Sequence, residues 1–373
     1  MSDYFIEKII IKDVRDIKNF EIPLDDEKRK HLIITGKNGS GKTSTLIEIN
    51  NLLNKLINNG FQVIESSQRA IDLVFSNKNN IYENIVSRKF ILAYFKAKRE
   101  NQPIVLTSIQ NIQLSPYYTT DTDNLHTKFI QYIVKLRVDM LDAKEENELD
   151  EVERIETWFK NFEDSLQELF GTDELKLKYY RKELNFKIEY DGKSFGLNEL
   201  SDGYSSLLAI LTELILRMEA HNVPAYDMQG VVLIDEIETH LHVDLQKKVL
   251  PFLTSFFKNI QFIVTTHSPF VLSSLSNTVI CDLEKRLVTE DLSAYSYESL
   301  VDTYFDTDKY SDEVKEKLKK YKELTLKDID NRLEREEFKE YIKLEMFFEN
   351  LPKYKNEEIG FQFNRIQQLK LGA

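Results

Sequence analysis

Apolar positions along the chain fall into a few sharp patterns. Residues 5–12, Phe-Ile-Glu-Lys-Ile-Ile-Ile-Lys, are rich in β-branched side chains and predict a strand, with residues 18–24 as its antiparallel partner. His31-Leu32-Ile33-Ile34-Thr35 is a short apolar run that stops at a glycine, the pattern of a buried central strand. Leu46, Ile49, Leu52, Leu53 and Leu56 then recur at helical spacing, so the segment reads as strand, glycine loop, helix. Two further buried-strand runs, Gly230–Ile234 and Gln261–Thr265, each end in polar residues.

Between these lie less regular stretches. Residues 60–125 are mixed, with strands expected at Lys89–Lys98 and Ile104–Leu114. His126–Phe170 reads as helical. Val152, Ile155, Phe159, Phe162, Leu166 and Leu169 form one apolar stripe there, expected to pack a helix on its own domain rather than on a partner. The acidic stretch Lys144–Glu151 predicts a turn between two helices, or else a solvated helical face. Leu175–Tyr180 and Leu184–Tyr190 predict a hairpin, and a long helix opens at Ser201, a favoured N-cap type, and runs to about Glu219. After about residue 285 the chain turns charge-rich, and residues 311–345 read as helical.

Composition narrows the class. A chain of 373 residues with 42% apolar side chains buries a sizeable core. Its net charge of −13 argues against a general nucleic-acid binder, although a local basic groove stays compatible with it. A single cysteine, Cys281, excludes an internal disulfide framework and multi-cysteine zinc sites. No run approaches a membrane span, and Met1-Ser2-Asp3-Tyr4 does not begin a secretory signal. A reducing cytoplasm is the expected location, with no membrane partner.

Four motifs carry chemistry. Gly36-Lys37-Asn38-Gly39-Ser40-Gly41-Lys42-Thr43 matches G-x-x-x-x-G-K-[ST], followed by Ser44 in the first turn of the helix. Glycines let successive N–H groups point inward as an anion nest, and the following helix adds its positive end. Lys42 is placed for the β- and γ-phosphates of ATP and the Thr43 hydroxyl for Mg²⁺. Val231–Ile234 followed by Asp235-Glu236 matches the second nucleotide motif. Asp235 suits the Mg²⁺ shell, and Glu236 suits a general base that polarises water. Neither acid is diagnostic alone, because buried strands often end in acids. The third motif, Leu200-Ser201-Asp202-Gly203-Tyr204, opens a helix whose free N–H groups suit a γ-phosphate, although a plain N-cap would look the same. In the fourth, a strand ends at Thr265-Thr266-His267-Ser268-Pro269, and a histidine there is able to hydrogen-bond the γ-phosphate.

In this order the four motifs resemble the ABC-type ATPases shared by SMC, RecF and OLD (overcoming lysogenisation defect) proteins. Leu200–Tyr204 is similar to the L-S-G-G-Q signature, with Asp202 and Tyr204 as departures. Asp235-Glu236-Ile237-Glu238-Thr239-His240-Leu241-His242 resembles the OLD-like D-E-P-E-x-H-L-H-P, with Ile237 and Val243 in place of prolines. The resemblance implies an α/β fold: an ABC-type P-loop NTPase with an N-terminal antiparallel β lobe, a mainly parallel central sheet, and a short helical arm inserted between the nucleotide motifs. Residues 1–125 would form the first part of the ATPase head, 126–172 the arm, 173–285 the second part of the head and 286–373 a helical C-terminal extension. About 190 residues between Thr43 and Asp235 leave no room for a long coiled coil, and the roughly 90 after Asp282 are too few for a TOPRIM nuclease domain. The layout is most similar to stand-alone ATPase subunits of bacterial anti-phage systems, such as the Septu type that works with a separate HNH nuclease.

The resemblance also implies a homodimer or higher even oligomer around ATP and Mg²⁺. Gly36, Asn38, Gly39, Ser40, Gly41, Lys42, Thr43 and Ser44 would hold the nucleotide in one protomer, with Ser201 and Gly203 completing the partner's site. Thr43 and Asp235 would hold the metal, and Lys42, Glu236 and His267 would act in hydrolysis. Gln68, Gln102 and Gln110 are candidates for the family's Mg²⁺-sensing glutamine, and none has a distinguishing context. Two other functions remain open at this point: a RecF-like DNA repair ATPase and a slow or non-hydrolysing nucleotide-sensing scaffold. The lysines at 315, 317, 319, 320 and 322 are interleaved with Glu313, Glu316 and Glu323, the pattern of a solvated helix face.

Overall fold

Alternation of buried and half-buried residues builds the first sheet. β1 (Ile6–Val14) pairs antiparallel with β2 (Ile17–Pro23) on one side and with β4 (Ile71–Phe75) on the other. The computed structural model describes residues 4–59, 69–76, 83–84, 90–98, 106–112, 114, 128–197, 199–221, 228–295, 299–300, 312–330, 332–350 and 357–371.

The central sheet is made from the continuous apolar runs. β3 (His31–Thr35), β9 (Gln229–Ile234) and β10 (Ile260–Thr265) are buried almost throughout, as strands covered on both faces must be. With β5 (Phe90–Phe95), β11 (Thr278–Asp282) and β12 (Leu287–Glu290) they form six strands in the order β12-β11-β3-β10-β9-β5. All neighbours are parallel except β11 and β12. Helix α1 (Lys42–Asn59) follows β3. Its Leu46, Ile49, Leu53 and Leu56 share one core with Ile9 and Ile11 of β1 and with Leu32 and Ile34 of β3. Burial on both sides fixes the start of α1 beside the ends of β3, β9 and β10.

Two buried polar side chains lock the strand starts together. Gln261 Oε1 accepts from the Ile6 amide at 2.8 Å, while its Nε2 donates to the carbonyls of Ile6 and Lys30 at 3.0 and 2.8 Å. His31 Nδ1 accepts from the Phe262 amide at 3.1 Å, and burial holds its pKa down at about 4, so the ring is neutral.

The inserted arm is a helical hairpin. α2 (Phe129–Glu146) ends where Asn147 turns left-handed, φ 60°, and α3 (Leu149–Phe170) begins directly after it, so the acidic stretch is the expected turn. On α3 the buried face carries Trp158 rather than Phe159. Phe159 is half-buried and stacks instead on Phe186. That phenylalanine lies on β7 (Asn185–Tyr190), the middle of a small antiparallel sheet with β6 (Lys176–Tyr180) and β8 (Lys193–Gly196). The third strand extends the predicted hairpin.

Helix α4 (Asp202–Glu219) is apolar on nearly all sides and nearly wholly buried. Trp158 Nε1 donates to Glu219 at 3.1 Å, and Phe170 stacks on Tyr204 at 4.2 Å and 7°. The middle of α3 thus meets the end of α4, and its end meets the start of α4, so the two run antiparallel. After β9 come α5 (Val243–Phe256), then β10 and the short α6 (Pro269–Leu272).

The chain divides into two compact units, residues 1–297 and 298–373. β12, within the stretch assigned from sequence to the C-terminal extension, belongs to the central sheet of the first unit. The second unit contains α7 (Asp312–Ile329), α8 (Arg335–Glu349) and α9 (Glu357–Leu371) around its own core, where Tyr321 and Tyr341 stack at 5.2 Å and 5°. Lys317 pairs there with Glu313, as a solvated face requires. One expectation fails: residues 106–112, within the strand expected at Ile104–Leu114, form no strand. Residues 107–111 are all exposed, so they bury no face against a sheet, and propensity alone does not hold a strand. Among the described residues no helix is long and apolar enough to cross a membrane.

Candidate functional site

The loop after β3 is wound by glycine. Gly36, Gly39 and Gly41 all have positive φ, and a Cβ on Gly36 would stand 2.8 Å from Ser40 Oγ. Lys42 is 6% exposed, and its Nζ donates to the loop carbonyls of Gly36 and Lys37 at 2.8 and 3.0 Å. Burial lowers its pKa, while Glu236, Glu238, Asp235 and Asp282 pull the other way. Asn38 and Gly39 are exposed at the tip of the loop, and Ser44 lies in the first turn of α1. Ser40 Oγ is buried without a hydrogen-bond partner among the described residues.

The strand ends meet this loop. Thr43 Oγ1 lies 3.1 Å from Asp235 Oδ1, which also accepts from Thr265 Oγ1 at 2.7 Å. The same Thr265 hydroxyl accepts from the Glu236 amide at 2.7 Å. Glu236 has φ 44°, a left-handed conformation that costs a non-glycine residue strain and is typical of functional sites. Thr239 Oγ1 donates to its carboxylate at 3.3 Å. His267 is half-buried, and its amide donates to Glu238 Oε1 at 2.5 Å. Burial, with Lys42 nearby, lowers the pKa of its imidazole and favours the neutral ring.

Hard oxygen donors, a hydroxyl and a carboxylate, face each other at Thr43 and Asp235, the chemistry Mg²⁺ prefers. Among the described residues no group of three or more His, Cys, Asp or Glu is able to hold a metal by itself.

The signature residues are positioned differently. Ser201 is the N-cap of α4, yet its side chain makes no capping bond. Gly203 is buried, and a Cβ there would lie 2.9 Å from the His240 carbonyl oxygen and 3.6 Å from Leu241 Cα. Close packing on the segment after β9 is therefore enough to require glycine. Of the three glutamines, Gln68 and Gln102 lie outside the described residues. Gln110 is exposed, and its carbonyl accepts from Gln131.

Sequence reasoning missed two residues. Thr265 ties Asp235 to Glu236, and the signal was a hydroxyl at the end of a buried strand. Glu238 grips the backbone at His267, and only its place within the acidic motif marked it.

A glycine-wound loop on a central parallel sheet, an Asp-Glu strand end, a helix opening at Ser201 and a strand-end histidine together resemble the nucleotide site of ABC-type P-loop ATPases. A family model described as "AAA domain, putative AbiEii toxin, Type IV TA system" matches residues 112–273. The chain is 39% identical over 104 residues to the "Retron Ec83 probable ATPase" of Escherichia coli, covering 27% of this chain and 19% of that protein. It is 28% identical over 325 residues to the "Septu protein PtuA" of Bacillus mycoides, covering 79% of this chain and 42% of that protein. The chain thus spans less than half the length of these relatives. An SMC head solved bound to the C-winged helix domain of ScpA superposes with a TM-score of 0.43 at 14% identity, covering 78% of this chain and 100% of that one.

Proposed function

We propose that this chain binds Mg²⁺·ATP at Gly36–Thr43, hydrolyses it, and uses the cycle to close and open a dimer that controls a separate effector. The observation that carries this reading is the hydrogen-bonded chain Thr43–Asp235–Thr265–Glu236. It gathers the loop hydroxyl, the strand-end carboxylate and the backbone of the next acid at one place.

In this reading Lys42 and the loop amides hold the β- and γ-phosphates, and Thr43 and Asp235 hold Mg²⁺. The cation neutralises charge on the phosphates when bound. Glu236 orients the attacking water and takes its proton, and His267 hydrogen-bonds the γ-phosphate region. Ser201 and Gly203, at the start of α4, present that helix N-terminus to the nucleotide of a second copy. The similarity to the Septu and retron proteins supports a role in anti-phage defence. In this reading the chain works in the cytoplasm, and the effector is a nuclease such as an HNH enzyme.

Light scattering tests the dimer. The Glu236→Gln chain with Mg²⁺·ATP is expected to run at twice the monomer mass, and without nucleotide to dissociate. A mass independent of ATP overturns the gating.

A further inference from the structure

Three acids follow β9, Asp235, Glu236 and Glu238, and the reading above uses only the first two. Glu238 lies three residues after Asp235. Its Oε1 accepts from the His267 amide at 2.5 Å, bridging 29 residues of chain. Its Oε2 is buried and has no hydrogen-bond partner among the described residues. Burying a carboxylate oxygen without a donor is costly, and Asp235 and Glu236 are acidic neighbours in the sequence. Lys42 and His267 both feel the charge of Glu238.

We propose that Glu238 is a positioning residue for hydrolysis: by holding the amide of His267 it fixes where that imidazole stands relative to Lys42 and the phosphates. The next turn reinforces the assignment. Ser268 accepts from the amides of Phe270 and Val271 and donates to Gln246 Oε1 at 2.6 Å. The backbone is therefore pinned on the far side of His267 as well. Glu238 supplies the tether on the near side, and the histidine stands between two fixed points. Loss of one fixed point lets the ring drift, and drift on the order of 1 Å at a catalytic group lowers turnover about a hundredfold.

The inference rests on the hydrolytic reading of the site, and two substitutions test it. Glu238→Gln removes the charge but keeps a carbonyl oxygen at the same reach. Glu238→Asp keeps the charge but falls one methylene short of the amide. Hydrogen exchange at the His267 amide is read without nucleotide, and kcat and KM for ATP are read with Mg²⁺. The aspartate variant is expected to exchange at least about tenfold faster at this amide, and to lose roughly tenfold to a hundredfold in kcat at unchanged KM. The glutamine variant is expected to recover most of both. Aspartate equal to or better than glutamine in either readout overturns the tether, as does an unchanged kcat in both or an equal loss in both. A wild-type chain that does not hydrolyse ATP removes the hydrolytic reading instead, and the exchange rates still decide whether Glu238 holds His267.

Discussion

Thr43 Oγ1 stands 3.1 Å from Asp235 Oδ1, although 192 residues separate them along the chain. The helix that begins at Lys42 and the strand that ends at Ile234 are brought together by one apolar core shared by α1, β1, β3 and β9. The contact puts two hard oxygen donors side by side. It predicts that Asp235→Asn, which keeps the size and one acceptor oxygen for Thr265, damages metal use rather than folding. ATP turnover is expected to fall on the order of a hundredfold, with the Mg²⁺ requirement moved to higher concentration. A Mg²⁺ titration of activity, beside the melting temperature without nucleotide, checks this. An unchanged Mg²⁺ requirement contradicts the assignment.

His31 makes stability depend on pH. Its folded pKa is about 4 and its ordinary value 6.5, so between these the unfolded chain carries a proton that the folded chain refuses. Stability from this residue is complete above pH 6.5 and is lost as pH falls toward 4. The loss reaches about 2 kcal/mol by pH 5 and about 3 kcal/mol at full titration. Urea unfolding of wild type and His31→Gln at pH 7 and pH 5 checks the sign. The advantage of wild type over the variant should shrink as the solution is acidified.

The Phe170–Tyr204 stack explains why the fifth signature position is aromatic here. Tyr204 lies in the first turn of α4 and its ring is parallel to the last residue of α3. Tyr204→Phe preserves the stack and should melt like wild type. Tyr204→Gln restores the usual signature residue but removes the ring, and should lose about 1 kcal/mol beyond the area no longer buried. Thermal unfolding of the two variants side by side measures the difference. Equal melting temperatures would deny the stack an energetic role.

Much of this site was legible because its signals are local. The glycine loop between β3 and α1, the acids after β9 and the histidine after β10 each sit within a few residues of a buried strand. Periodicity likewise found α1 and the arm. The tethers were not legible. Thr265 to Asp235, Glu238 to His267 and Gln261 to Ile6 join residues 30, 29 and 255 positions apart, and nothing in the local pattern says which polar side chain ends beside which amide. The stripe on α3 misplaced Phe159 for a related reason. Neighbouring Trp158 and Phe159 compete for the inward face, and α4 accepts the indole through Glu219 while β7 takes the phenyl ring. Residues 106–112 failed as a strand because residues 107–111 are exposed, and propensity without a buried face does not build a strand.

The central claim is that Glu236 drives hydrolysis at a site that holds ATP through Lys42. Single-turnover hydrolysis of Mg²⁺·ATP, measured beside equilibrium ATP binding for wild type, Glu236→Gln and Lys42→Ala, tests it most directly. The account predicts that wild type binds and hydrolyses. Glu236→Gln should bind as tightly yet hydrolyse at least about a hundredfold more slowly, and Lys42→Ala should lose binding. Hydrolysis by Glu236→Gln at the wild-type rate, or undiminished ATP binding by Lys42→Ala, would contradict it.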